Sequence, residues 1–171
     1  MSSNWTALPE MPRQVYLSGG MEYAPDEGRD WRKDLQAWLE EELRCSVFNP
    51  NVESEAYLRA THPGFDFRAM KQQDIEAYRE VVRHLVDTDC REISERSDFV
   101  VCYWDDAAQR GAGTKGEITL AHHFRKPVYM VTGLPLAQIP GWVLACTDSI
   151  FGDFDALKAF LKSHFRPPPI H

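Results

Sequence analysis

The chain predicts a doubly wound α/β domain built on a five-stranded parallel sheet. Three observations carry this. Short apolar runs bounded by turn residues recur along the chain, at Gln14–Leu17, Ser46–Phe48, Asp98–Tyr103, Pro127–Val131 and Ser149–Phe151. Stretches of helical periodicity separate them, and strands that alternate with helices must be joined by crossovers into a parallel sheet. At 171 residues the chain fits one core.

Taken in order, residues 1–13 read as an N-terminal arm and 14–166 as the domain, with a helical insertion at about 51–95. Residues 167–171, opening on Pro167-Pro168-Pro169, are a tail. The first strand breaks at Ser18-Gly19-Gly20, a βα turn whose glycines allow a ligand close to the backbone or serve a plain tight turn. The next helix places Trp31, Leu35, Trp38, Leu39 and Leu43 on one face, opposite a charged one. After the second strand, Asn49-Pro50 stops the pattern and the chain is expected to be irregular to about Pro63. A long helical region then runs from Phe65 to about Glu95, with an apolar face of Met70, Ile75, Tyr78, Val81, Val82, Leu85 and Val86 and a break near Asp87–Asp89. His62 and His84 have no patterned partner and suit a surface or lid position. Asp105 to Arg110 reads as the loop after the third strand. A short helix is expected over Ile139–Cys146 and a closing helix over Asp155–Phe165. Trp104 and Trp142 fit either core or interface.

The chemistry concentrates at Gly111–Ala121, Gly-Ala-Gly-Thr-Lys-Gly-Glu-Ile-Thr-Leu-Ala, between the third and fourth strands. Thr114 is the expected N-cap, which puts Glu117 one turn into the helix near the positive end of its dipole. There Glu117 either closes a capping box with Thr114 or serves as a base or nucleophile. Its position just beyond the end of a parallel strand favours the second role, because ligands bind there in open sheets.

Composition narrows the classes. A formal net charge of -7 argues against a nucleic-acid polymer as partner. No apolar run reaches the roughly 18 residues of a membrane span, and no signal-peptide region is present, so a soluble, cytoplasmic protein is expected. Cys45, Cys90, Cys102 and Cys146 are widely spaced and read as free thiols; no metal-ligand spacing involves them or His122-His123.

Three groups of residues resemble the nucleoside 2-deoxyribosyltransferase-like superfamily of base-exchanging transferases and nucleotide N-glycoside hydrolases. They are Tyr16-Leu17-Ser18-Gly19-Gly20-Met21 with Gly28, Trp31 and Arg32; Asp89 and Ile93 running into Ser97-Asp98; and Gly113-Thr114, Glu117-Ile118 and Ala121 running into Lys126-Pro127-Val128. The resemblance implies a flavodoxin-like, Rossmann-like sheet, Glu117 as nucleophile, and Asp89 as the carboxylate that positions the sugar or serves as acid for the leaving base. It also implies a pocket lined by Tyr16, Ser18, Gly19, Gly20, Met21, Gly111, Gly113 and Thr114. It implies no metal or organic cofactor, a nucleoside or nucleotide substrate, and a homodimer or higher homo-oligomer in which a neighbouring subunit completes the pocket. The chain has one residue more than the family spacing between Ile93 and Asp98, which leaves Asp87 as an alternative to Asp89. Arg110-Gly111 stands where the transferases carry an acidic residue, and Gly20 and Glu22 stand where enzymes of nucleoside monophosphates carry hydroxyls and a base. Transfer and hydrolysis, and the phosphate state, therefore stay open.

Overall fold

The computed structural model describes Pro12 and residues 14–165. The rest of the expected arm and the expected tail lie outside the described residues.

Five strands, β1 (Gln14–Gly19), β2 (Ser46–Phe48), β3 (Phe99–Tyr103), β4 (Val128–Val131) and β5 (Ser149–Phe151), form one sheet in the order β2-β1-β3-β4-β5. Every pairing is parallel. This is the flavodoxin-like order, and its switch point falls between β1 and β3, where Val15 pairs with Phe99 and Gly19 with Tyr103. Both faces are covered by helices, which is why the strands read as apolar runs instead of alternating ones.

Side chains still alternate between faces along each strand, and this sorts the core into two halves. Val15, Leu17, Phe99, Val101, Tyr129 and Val131 point one way, onto Leu35 and Leu39 of α1 (Arg29–Glu42) and Leu157 and Leu161 of α8 (Phe154–His164). Tyr16, Val100, Cys102 and Met130 point the other way, onto Ile118 and Ala121 of α6 (Gly113–His123) and Val143 of α7 (Gly141–Ala145). Ser18, two residues beyond Tyr16, falls on this second face at the end of β1, where the apolar core stops. The strand pattern itself thus aims a hydroxyl pair toward α6.

The insertion differs from expectation. Pro50–Thr61 is a helix, α2, where an irregular segment was expected: Asn49 caps it by accepting from the Asn51 N–H (3.1 Å), and Pro50 takes the first helical position. Periodicity misses it because only Pro50 and Asn51 are buried. The long helical region is α3 (Phe67–Gln73) and α4 (Ile75–Arg91), parted at Asp74. Asp74 closes α3 with its N–H on the Met70 carbonyl and opens α4 by accepting from the Ala77 N–H (3.0 Å). No break occurs at Asp87–Asp89. Of the expected apolar face on α4 only Val81 is fully buried, while Ile75 and Val86 are 50% and 51% exposed. A further short helix, α5 (Asp106–Arg110), replaces the loop expected after β3, capped by Asp105 on the Ala108 N–H (2.9 Å). Trp104 is core and Trp142 is exposed. Cys45, Cys102 and Cys146 are buried free thiols and Cys90 is an exposed one. Among the described residues no helix is long and apolar enough to cross a membrane.

Candidate active site

The centre of the site is a contact between β1 and α6. Glu117 turns inward from α6, receiving a 3.1 Å hydrogen bond from the Tyr16 hydroxyl on Oε1 and a short one from the Ser18 hydroxyl on Oε2. The capping-box reading is corrected by this geometry. The N-cap of α6 is Ala112, no side chain caps the helix, and Thr114 lies buried inside its first turn. Glu117 stands in the second turn, where the dipole contributes little. Its environment comes from the tertiary partners instead.

Asp89 approaches from the end of α4. Immediately after it, Glu92–Arg96 forms a π turn, marked by the Ser97 N–H bonding the Glu92 carbonyl five residues back at 2.8 Å. A π turn takes up one residue more than an α turn, so it absorbs the extra residue between Ile93 and Asp98. Ile93 stays fully buried and Asp89 is set beside Glu117 and Tyr16, whereas Asp87 is on the exposed surface of α4.

The two carboxyls are perturbed unequally. Burial, and next the neighbouring Glu117 charge, push Asp89 up to about 8, against the Tyr16 hydroxyl and Arg32, which pull it down. Burial also raises Glu117, but the Ser18 hydroxyl, the Arg32 charge and the Tyr16 hydroxyl all oppose it. Two nearby carboxyls do not both ionise readily. The groups that favour an anion, two hydroxyl donors and the Arg32 charge, are gathered on Glu117, while burial and the Glu117 charge favour the protonated form of Asp89. Tyr16, buried beside both and stacked on Phe48 at 5.3 Å, is raised well above the usual phenol range and stays a donor.

The remaining residues expected to line the pocket lie beyond the carboxyl ends of β1 and β3. Gly19 ends β1 and Gly20 follows it, but the space a Cβ would take is filled by the chain itself: Trp31 stands 2.8 Å from that point at Gly19, and the Ala108 amide 2.5 Å from it at Gly20. Close packing of α1 and α5 thus accounts for both glycines. Met21 is half-buried beyond them, and Gly111 and Gly113 border the α5–α6 turn, Gly111 bonding the Ala107 carbonyl at 3.0 Å. A groove of about 440 Å³ between α1 and α2 and one of about 650 Å³ along α4 are separate concavities; neither is lined by Glu117.

One residue of consequence had no role assigned from sequence. Arg32 is fully buried on α1, and its charge acts on both carboxyls. The signal for it was its place on the inner stripe, three residues before Leu35 and seven before Leu39.

No family model matches the chain, and no curated protein matches it. Among solved structures it is similar to the 2-deoxyribosyltransferase of the psychrotolerant bacterium Bacillus psychrosaccharolyticus, with a TM-score of 0.56 and 16% identity over 91% of this chain and 99% of that one. The likeness is one of fold, over nearly the whole of both chains, and it is the fold that the motif resemblance implied.

Proposed function

We propose that the chain cleaves or transfers the N-glycosidic bond of a nucleoside or nucleoside 5′-monophosphate, with Glu117 as nucleophile and Asp89 as acid. The observation that carries this reading is the unequal pair: a carboxylate oriented by Tyr16 and Ser18, next to a carboxyl held protonated up to about pH 8. An oxocarbenium-like transition state at C1′ calls for such a pair.

In the first step a Glu117 oxygen attacks C1′ as the bond from C1′ to the base nitrogen breaks, and the Asp89 proton passes to the leaving base. The Tyr16 and Ser18 hydroxyls hold the carboxylate in a single orientation, leaving a lone pair for attack. The product is a glycosyl ester on Glu117. In the second step water or another base attacks C1′ from the vacated face, Asp89 takes up the proton that the incoming group releases, and the ester bond breaks. Two displacements at C1′ give overall retention. Association into at least a homodimer is part of the proposal, since Ile75 and Val86 of α4 lie exposed on the element that carries Asp89.

The competing reading is a nucleotide-binding module without turnover; since Glu117 does not cap its helix, that reading needs another role for its buried carboxyl. Chromatography decides between them. Purified protein is incubated with ribo- and deoxyribonucleosides and their 5′-monophosphates, with and without a second free base, alongside Glu117→Ala. Free base released by the wild type alone establishes the chemistry, and a requirement for the second base marks a transferase. Thermal stabilisation by one compound with no release from any would establish the binding module.

A further inference from the structure

Arg32 is 1% exposed, yet among the described residues none of its hydrogen-bond acceptors is a carboxylate. Nε donates to the Leu17 carbonyl (3.3 Å) and Nη2 to the Gly19 carbonyl (2.8 Å). Nη1 donates to the Gly28 carbonyl (3.0 Å), the Glu27 carbonyl (3.3 Å) and the Asn51 amide oxygen (3.2 Å). The Trp31 ring lies 4.7 Å from the guanidinium carbon. Room is cleared for the group: a Cβ on Gly28, whose φ is +71°, would stand 2.4 Å from Nη1. An arginine does not lose its proton, and a buried cation surrounded only by neutral acceptors is costly unless a counter-charge is near. The anion that does most to offset that burial is Glu117.

We propose that Arg32 is a positioning residue for Glu117: its fork holds the carbonyls on either side of Ser18, whose hydroxyl bonds the Glu117 carboxylate, and ties that end of β1 to the β1–α1 loop and α2, with its buried charge toward Glu117. This rests on the reading of Glu117 as nucleophile. The groups facing Glu117 are Tyr16 and Ser18 of β1, Asp89 and Cys90 of α4, Cys102 of β3 and Arg32 of α1, and burial raises both thiols. Those facing Arg32, besides Glu117, are Tyr16, Cys102 of β3 and Asp26 of the β1–α1 loop. Burial raises Tyr16 and Cys102 out of the neutral range, and backbone donors from Asp30 and Gly28 lower Asp26, so none of the three changes charge near neutrality. The loss of Arg32 therefore acts on the two carboxyls that its charge reaches, Glu117 and Asp89, and Glu117→Gln tells their signals apart.

The test titrates side-chain carboxyl carbons by NMR in protein labelled at Glu and Asp, without substrate, with Glu117→Gln assigning the Glu117 signal. Arg32→Gln is expected to move the Glu117 midpoint to higher pH and to carry the acid limb of base release with it. Arg32→Lys is expected to leave the midpoint near its wild-type place but to raise KM, because an ammonium cannot hold five acceptors in a plane. An unchanged midpoint in Arg32→Gln overturns the proposal, whatever the activity. A moved midpoint in a protein that releases no base refutes the glycosidic reading while the coupling stands. Should Arg32→Gln fail to fold, the wild type decides: the Arg32 Nε–H resonance is expected to shift with the Glu117 midpoint and to stay flat in Glu117→Gln. A resonance that ignores Glu117 overturns the proposal as well.

Discussion

The two sides of the site are built from unlike material. On the sheet side, Tyr16 and Ser18 are fully buried on a strand paired along its length with β3, and the Glu117 carboxyl is fixed between them from a helix that packs Ile118 and Ala121 into the core. On the insertion side, α3 buries no residue fully and α4 buries only Val81. What holds α2, α3 and α4 together is a chain of ring contacts, from His84 stacked on Tyr57 at 4.0 Å through His62 and Phe65 to Phe67 and Tyr78, with an exposed Lys71–Glu22 ion pair to the β1–α1 loop. Exposed pairs of that kind contribute little. On the proposed function, Glu117 thus stands on an element packed into the core and Asp89 on one with little burial, the kind of element that opens locally, a division that suits a substrate entering between them.

The largest effect expected from breaking that arrangement is at Glu117. Glu117→Ala should lower base release by at least ~10³-fold while a nucleoside still binds, as read by single-turnover chromatography beside calorimetric titration. Equal loss of binding and turnover would count against a nucleophile.

Asp89 on the other side should matter nearly as much, by about 10²- to 10⁴-fold in Asp89→Asn, the usual range for general acid–base catalysis. Release is expected to follow a bell in pH, with the acid limb set by Glu117 and the alkaline limb, near 8, by Asp89; the alkaline limb should vanish in Asp89→Asn. The same group links stability to pH. Its folded value, about 8, lies above the unfolded one, so between about pH 4 and pH 8 the folded state holds a proton that the unfolded state has lost. The contribution of Asp89 to stability is full below that window, falls as pH rises through it, and is gone above it. Melting curves of Asp89→Asn should therefore gain on the wild type between pH 5 and pH 8.

Tyr16 joins the two sides, since its hydroxyl bonds Glu117 and faces Asp89. Tyr16→Phe removes a bond to a charged acceptor, a loss of about 1.5–3 kcal/mol, or roughly 10- to 100-fold in rate. The acid limb should also move to higher pH, as one of the groups lowering Glu117 is gone. A pH–rate profile of kcat/KM reads both.

The same division explains what was legible in the sequence. Ser46–Phe48 and Ser149–Phe151 stand where their apolar runs placed them, and the other strands agree to within a residue or two, because a strand covered on both faces carries its burial in its own composition. The insertion carries no such signature. Half-exposed α2 lacks a stripe, and only its Asn49-Pro50 opening, an N-cap followed by proline, marked it. At the site, Thr114-x-x-Glu117 satisfied a local rule while the real partners of Glu117 lie about a hundred residues back, on β1. A spacing of three cannot reveal a contact made across a sheet. The surplus residue after Ile93 was visible as an irregularity, but its meaning, a π turn that keeps Asp89 in register, belongs to backbone hydrogen bonding.

The smallest effect tests the comparison most sharply. Ile118 and Ile75 are the same residue type on helices of the two sides. Ile118→Ala, which empties a fully buried position between α6 and the sheet, should cost about 2–5 kcal/mol. Ile75→Ser, on a half-exposed turn of α4, should stay within about 0.5 kcal/mol, the range of ordinary surface changes. Both are read from urea unfolding of dilute protein, with the slope m compared to keep the unfolded state constant. A near-zero value for Ile75→Ser at every protein concentration leaves α4 as an exposed arm of a single chain. A cost that grows as protein concentration rises means that the side chain is covered by a second copy, since only association makes stability depend on concentration. In that case the acid-bearing side of the site draws its rigidity from its neighbour, and the contrast with the sheet side holds for the lone chain only.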